Sequence, residues 1–140
     1  GEGTLRFGPG AYQFKGPMCA LAGTVDLSGA GTITNGCFGA GAGTISDGTL
    51  RDPVFRLDAG APNLVNCTFS GRGYLDVGDE PPAQPYPTDM TVLRFTGTAP
   101  NVSNWRLKGA GKKDLGAKFT VVGNEVKVTI EERGLLLLVR

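Results

Sequence analysis

The chain has 140 residues and a net charge of +1, from 14 Lys and Arg against 13 Asp and Glu. This length allows one domain with a hydrophobic core, and the balanced charge gives no field that favours nucleic acid or an anionic membrane as a partner. The 23 Gly and 9 Pro disfavour long helices, whereas an apolar content of 40% is too high for a disordered linker. These features predict an all-β chain.

Targeting signals and membrane segments are not evident. No run of about 18 apolar residues is present, so no membrane span is predicted, and no basic stretch followed by an apolar one suggests an export signal. The sequence opens on Gly1 without a methionine, and we expect it to be part of a longer polypeptide. The three cysteines match neither a C-x-x-C pair nor a disulfide framework, so we expect buried thiols.

Residues 4–27 alternate apolar pairs with turn residues. The pattern predicts turns at Gly8-Pro9-Gly10 and Gly16-Pro17. It predicts strands around four apolar pairs, which are Leu5 and Phe7, Tyr12 and Phe14, Cys19 and Leu21, and Val25 and Leu27.

Residues 22–77 repeat a Gly-Thr-aliphatic tripeptide, which begins at Gly23, Gly31, Gly43 and Gly48, with an outlying copy at Gly3. Each copy supplies a β-branched residue, an apolar residue and a glycine for a bend, which suits very short strands. A parallel β-helix with roughly 20 residues per turn accommodates them, so this stretch predicts two to three turns. Residues 65–69 alternate apolar and polar side chains and predict one half-buried strand.

A proline-rich segment, residues 81–87, divides the pattern because proline donates no amide hydrogen to a sheet. Residues 1–80 are predicted as the glycine-rich β-solenoid and residues 88–140 as an antiparallel β-meander that caps it, in one cooperative unit. The clearest hairpin turns at Gly123-Asn124, before alternating Val126, Val128 and Ile130. Trp105 is assigned to the core of this cap, and the wholly apolar residues 135–139 to a strand covered on both faces or at an interface.

The sequence contains no histidine, which excludes a Ser-His-Asp or Cys-His arrangement within this chain. No catalytic residue is assigned, and the chain is not expected to be an enzyme. Asp76, Asp79 and Glu80 place three carboxylates within five residues, so they are candidate calcium ligands. The alternative, which we favour, is that they are solvated loop charges, because no complete calcium-loop motif is present.

Two tyrosines are candidates for contact with sugar rings, whose C–H faces pack against aromatic planes. Tyr74 is predicted to point outward between Arg72 and Asp76, and Tyr86 lies in the proline-rich loop. These four residues are the candidate ligand-binding set, although covering a strand or packing on prolines explains the tyrosines equally simply. A lyase-like arrangement of acids and a base would draw on Arg56, Asp58, Arg72 and Asp76.

The Gly-Thr-aliphatic repeats, the Val65–Phe69 stretch and the terminal Gly134–Arg140 segment resemble the carboxy-terminal part of bacterial passenger-type β-helix surface proteins, of the autotransporter-associated and pectate-lyase-like kind. The resemblance implies an exported, adhesin-like protein that is secreted or at the cell surface. It supports a structural capping domain whose partner is the upstream part of the same polypeptide. The alternative is a carbohydrate-binding or polysaccharide-lyase-like module, with polysaccharide as its partner.

Overall fold

The structure is a computed structural model that describes residues 4–10, 12–13, 17–19, 23–39 and 43–133. Within these ranges, helix is limited to two short 3-10 segments, Leu57–Ala59 and Ala110–Lys112. No helix in the described ranges has the length and apolar character needed to cross a bilayer. The remaining regular structure is β-strand, which confirms the predicted fold class.

The strands are short in the first half of the chain and longer near its end. In chain order they are β1 Thr4–Arg6, β2 Tyr12–Gln13, β3 Pro17–Cys19, β4 Thr24–Asp26, β5 Thr32–Thr34, β6 Cys37–Gly39, β7 Thr44–Ser46, β8 Thr49–Arg51, β9 Val54–Arg56, β10 Asn63–Val65, β11 Thr68–Ser70, β12 Tyr74–Asp76, β13 Met90–Thr96, β14 Arg106–Lys108, β15 Leu115–Val122 and β16 Glu125–Glu132.

These strands form three sheets, which are mostly parallel. Sheet A has the order β1-β4-β7-β10-β13-β16-β15, sheet B the order β11-β8-β5-β2, and sheet C the order β14-β12-β9-β6-β3. The chain passes through all three sheets in each of four successive turns, β1–β3, β4–β6, β7–β9 and β10–β12. Thr4 pairs with Thr24 and Thr24 with Thr44, so one turn takes 20 residues. This is the parallel β-solenoid that the repeats predict.

The repeated tripeptide marks the point where a strand begins. Its threonines are the first residues of β4, β5, β7 and β8, and the aliphatic residue that follows each of them is buried. A three-residue strand turns its central side chain inward and its two neighbours outward. The inward residues stack from turn to turn and form the core, which includes Val25, Ile45 and Leu64 in sheet A, Ile33 and Leu50 in sheet B, and Phe38, Phe55, Leu75 and Leu107 in sheet C.

Asparagine and aspartate form the corners of the solenoid. Asp47 and Asn66 have φ values of 59° and 54° between sheets A and B, and Asn35 and Asp52 have values of 57° and 49° between sheets B and C. These residue types tolerate the left-handed region better than others. The corners also stack, since the Asp47 N–H donates to the Val65 carbonyl at 2.9 Å.

The prediction of one strand over residues 65–69 is wrong. Val65 ends β10, Asn66 forms a corner at φ 54°, and Thr68 begins β11 in a different sheet. Cys67 is buried at this corner, and its thiol donates to the Ile45 carbonyl with a sulfur–oxygen distance of 3.7 Å. The alternation of apolar residues is real, but it runs around a bend.

The fifth turn is incomplete. β13 pairs in parallel with β10, and β14 pairs in parallel with β12. Residues 97–105 connect β13 to β14 without forming a strand, so sheet B ends at β11 in the described part of the chain. Parallel pairing therefore continues beyond the proline-rich segment, and the region from residue 88 onward combines parallel and antiparallel strands.

The antiparallel part is the β15–β16 hairpin. Its strands pair from Leu115 with Glu132 to Val122 with Glu125, and β16 also pairs antiparallel with β13. The predicted alternation in β16 is confirmed, because Val126, Val128 and Ile130 are buried. Trp105 is 3% exposed, as its core assignment predicts. Its ring stacks on Phe55 at 5.7 Å and meets the edge of Phe119 at 5.8 Å.

The first turn has a different environment from the later ones. Pro17 was predicted in a turn but is the first residue of β3, a position where proline costs no ladder hydrogen bond. Predictions that concern Phe14, Leu21 and residues 135–139, together with the glycine of the outlying Gly-Thr-Leu copy, lie outside the described residues. Cys37 and Cys67 are thiols, and Cys67 is the more deeply buried of the two.

Candidate functional site

The outer face of sheet C collects most of the candidate residues. Its strands β9, β12 and β14 lie side by side, with Tyr74 opposite Val54 and Arg106, and Asp76 opposite Arg56 and Lys108. Leu75, between Tyr74 and Asp76, is buried. The two flanking side chains therefore share the outer face, and the outward orientation predicted for Tyr74 is confirmed.

Tyr74 is half-buried and is accompanied by a cation. The Lys108 Nζ lies 5.6 Å from the centre of the Tyr74 ring, within the range of a cation–π interaction. Such a pair offers an aromatic surface beside a positive charge. The sequence gave no direct sign of this contact, because β12 and β14 are separated by the long excursion through residues 77–105.

Asp76 lies at the edge of a cavity of about 280 Å³, which is lined by Arg56, Leu57, Asp58, Asp76, Val77, Gly78, Pro82 and Ala83. Its Oδ1 accepts a hydrogen bond from the Gly78 N–H at 2.8 Å, which shapes the turn after β12. Arg56 and Asp58 form an ion pair at 3.1 Å. The acids and the base of this cavity thus make contacts within the protein itself.

Arg72 lies apart from that cavity. It sits before β12 at the corner between sheets B and C, where its backbone N–H donates to the Asp52 Oδ1 at 2.8 Å. Of the four residues of the predicted lyase-like arrangement, Arg56, Asp58 and Asp76 line one cavity. Arg72 is exposed at a corner and is not among the lining residues.

Tyr86 holds the proline-rich segment against the hairpin. Its hydroxyl donates to the Glu132 Oε1 at 3.2 Å and accepts from the Gln84 Nε2 at 3.2 Å. The ring is half-buried and packs on the core. Tyr74 and Tyr86 are therefore fixed beside different strands, β14 and β16, and the pair does not form a common platform on sheet C.

The three predicted calcium ligands are not brought together. Asp79 and Glu80 are exposed in the loop after β12, whereas Asp76 is engaged with the Gly78 backbone. Across the described ranges, no three Asp, Glu, Cys or His side chains are grouped closely enough to hold a metal ion. The carboxylate spacing in the sequence does not become a convergent donor set.

A second cavity, of about 290 Å³, was not predicted. It lies between β11 and the connection from β13 to β14, and its lining residues are Pro53, Phe69, Ser70, Gly71, Asn101, Ser103, Asn104 and Trp105. None of them carries a charge. The only sequence signal for it is the absence of a Thr-aliphatic strand motif between residues 97 and 105.

Two carboxylates of sheet A have depressed pKa values. The Ser28 backbone N–H donates to Asp26 at 2.9 Å and, together with the Ser28 hydroxyl and Arg6, lowers the pKa of Asp26. The Thr91 hydroxyl donates to Glu125 at 2.8 Å and, with Lys127 and Arg94, lowers the pKa of Glu125. Both groups stabilise strand pairing, and neither lies in a cavity described above.

Comparison with known proteins identifies no relative: no family model, curated protein or solved structure matches the chain. Its function is therefore inferred from its geometry and its sequence.

Proposed function

We propose that the chain is a non-catalytic structural domain that closes the C-terminal end of a β-solenoid in an exported bacterial protein, either at the cell surface or secreted. Its partner is the upstream part of the same polypeptide, whose last turn stacks on β1. The resemblance of the Gly-Thr-aliphatic repeats to passenger-type β-helices supports the export and surface assignment. The contrast between the two ends of the stack supports the structural role.

That contrast is the observation on which the proposal rests. Leu5 occupies the inward position of β1, in register with Val25 and Ile45, yet 58% of it is exposed against 5% and 0% for those two residues. At the other end, the hairpin buries Val126, Val128 and Phe119. A solenoid needs its last turn covered, and only the β1 end presents an open edge with an uncovered inward residue.

The non-catalytic part of the proposal draws support from the charged residues on the outer face of sheet C. Arg56 bonds Asp58, Asp76 bonds the Gly78 backbone, and Lys108 lies over Tyr74. Each has a structural contact, and charged outward positions are ordinary on a solenoid.

A chain with one additional turn tests the stacking role. Residues 1–3 are replaced by a copy of residues 44–62, because Thr44 pairs with Asn63 at a spacing of 19 residues, and Thr4 then takes the position of Asn63. We expect the new turn to fold on β1, raising both the thermal midpoint and the urea m-value, since more surface becomes buried. The control carries the same 19 residues in scrambled order.

If the ordered and scrambled extensions give the same midpoint and m-value, β1 is not a stacking surface and the proposal fails. Amide exchange provides an independent measurement, because a stacked turn protects the outward-directed amides of β1, whereas an unfolded extension leaves their exchange rates unchanged.

A carbohydrate-binding or polysaccharide-lyase-like module is the second candidate, and the Tyr74–Lys108 pair is the observation that favours it. Glycan-array binding and a lyase assay on acidic polysaccharides test it. Under this alternative Tyr74→Ala abolishes binding, whereas Tyr86→Ala retains it because Tyr86 bonds Glu132. Absence of binding or cleavage by the unmodified chain would dismiss this candidate.

A further inference from the structure

The edge of sheet B lacks the strand that the fifth turn would supply. Sheets A and C each gain a parallel strand in that turn, β13 beside β10 and β14 beside β12. Residues 97–105 run between them without a strand, and β11 is the last strand of sheet B in the described part of the chain. The 290 Å³ cavity lies at this edge.

The backbone at this edge is directed outward in strand geometry. The Thr68 N–H donates to the Gly48 carbonyl at 2.8 Å, and the Ser70 carbonyl accepts from the Asp52 N–H at 3.0 Å, so both residues turn their backbone groups toward β8. The groups of successive residues point to opposite sides of a strand. The N–H and C=O of Phe69 are therefore directed at the open edge.

The neighbouring positions on the same edge show how the ladder is interrupted. The Asn66 N–H donates to the Thr96 carbonyl at 2.8 Å, and the Arg106 N–H donates to the Gly73 carbonyl at 3.1 Å. The fifth turn thus pairs with the fourth on both sides of Phe69. The gap between these two bonds corresponds to one missing three-residue strand.

The side chains around the gap determine what it accepts. Asn101, Ser103, Asn104 and Ser70 contribute amide and hydroxyl groups, and Phe69 and Trp105 contribute the apolar part. The Asn101 Oδ1 accepts from the Ser103 N–H at 3.1 Å, which leaves the Asn101 amide NH₂ as a donor. No lining residue is charged, so a neutral ligand with alternating donors and acceptors fits best.

We propose that the β11 edge binds a short, uncharged, extended peptide segment from a partner protein, which adds to sheet B as a parallel strand. Continuity with the existing sheet identifies the occupant: the inward column Ile33–Leu50–Phe69 takes an aliphatic residue next, and the outward column Thr32–Thr49–Thr68 takes a threonine. Strand addition of this kind gains affinity from main-chain hydrogen bonds and specificity from alternate side chains.

The test uses a capped peptide with the sequence of residues 31–36, Gly-Thr-Ile-Thr-Asn-Gly, which contains β5 of the same sheet. With its isoleucine opposite Phe69, its first threonine carbonyl accepts from the Phe69 N–H and its second threonine N–H donates to the Phe69 carbonyl. We expect ¹⁵N chemical-shift changes centred on Phe69 and slower exchange of its amide. Methylation of that second threonine nitrogen should weaken binding roughly fivefold to tenfold, since it removes one of these hydrogen bonds.

Asn104→Trp fills the cavity and should abolish the shifts, whereas Thr98→Trp, in the same connection but outside the lining residues, should preserve them. Circular dichroism verifies that both variants fold. Equal binding of the methylated and unmethylated peptides, or no shift at Phe69 with the unmethylated one, would overturn the proposal. So would a neutral cello-oligosaccharide that shifts the same amides while the peptide does not, because the cavity would then be a sugar site.

Discussion

Corner residues determine where each three-residue strand stops. Asp47 adopts φ 59° between β7 and β8, is exposed, and its backbone N–H bonds the next turn. Aspartate and asparagine are the non-glycine residues that enter this region at least cost. The polar residue after each Thr-aliphatic-polar triplet is therefore a conformational requirement of the solenoid.

Substitutions at Asp47 test this requirement. Asp47→Ala should lower the free energy of unfolding by about 1 kcal/mol, because alanine carries a Cβ into the left-handed region. Asp47→Gly should be neutral within about 0.5 kcal/mol, because glycine adopts this conformation freely. Urea denaturation measures both. Equal losses for alanine and glycine would indicate that the Asp47 side chain, rather than its backbone conformation, stabilises the corner.

Glu125 provides a pH dependence with a defined sign. Its folded-state pKa lies below the unfolded value, chiefly because the Thr91 hydroxyl bonds the carboxylate. Its contribution to stability is therefore present above the unfolded pKa of about 4.3 and is lost as the pH falls through the folded pKa. Thr91→Val should raise the Glu125 pKa and reduce stability at neutral pH, with a smaller effect in acid.

NMR titration of the Glu125 side chain measures that pKa directly. Thr91→Ser is the matched control, because it keeps the hydroxyl and should leave the Glu125 pKa close to that of the unmodified chain. An unchanged pKa in the valine variant would mean that Lys127 and Arg94, which also lie within 3.4 Å of Glu125, account for the shift.

Among the elements, the β15–β16 hairpin closes the stack, and its two strands offer a matched pair of sites. Val128 is 1% exposed in β16, whereas Val121 is 39% exposed in β15. Val128→Asp should destabilise the chain by more than about 3 kcal/mol or render it insoluble, because it buries an unpaired charge at the closed end. Val121→Asp should change stability by less than about 1 kcal/mol. Thermal unfolding and solubility compare them.

Insolubility of both aspartate variants would argue against a sealing role specific to the buried face of β16. Removal of residues 119–140 is a coarser version of the same experiment. It uncovers Trp105, whose ring rests on Phe119, and we expect aggregation, because the last parallel strands then present an open edge. A soluble, folded truncation would contradict this role of the hairpin.

The elements differ in how far the sequence predicts them. Gly-Thr-aliphatic triplets locate β4, β5, β7 and β8 because three residues contain the whole inward–outward pattern of such a strand. The break at Asn66 was missed because an alternating pattern continues across a corner when both neighbouring strands face the core. The parallel pairing of β14 with β12 was also missed, since no local pattern shows which earlier strand a segment will join across the long excursion between them.

The candidate site was predictable in part. Outward positions in β12 followed from the burial of Leu75, so Tyr74 and Asp76 were placed on the correct face. Their neighbours Arg56 and Lys108 depend on register between strands, which residue spacing alone does not supply. The second cavity depends on a strand that is absent from sheet B, and a sequence pattern gives only weak information about an absence.

At the scale of the molecule, the open end at β1 predicts association between copies. Leu5 is 58% exposed on an edge strand, and such edges pair with one another at high concentration. Leu5→Lys should lower the sedimentation coefficient of concentrated samples to that of a monomer. Val122→Lys, at the 54% exposed tip of the hairpin, should leave association unchanged. Equal sedimentation of the two variants and the unmodified chain would contradict association through β1.

The 20-residue spacing between paired threonines in sheet A has a mechanical consequence. Each of the first turns bonds only the turns directly above and below it, so tension applied at the amino end should peel one layer while the next stays intact. Each rupture would release about 20 residues of contour, on the order of 70 Å when extended. An optical trap would record this as a regular series of equal steps that ends when the force reaches the antiparallel hairpin.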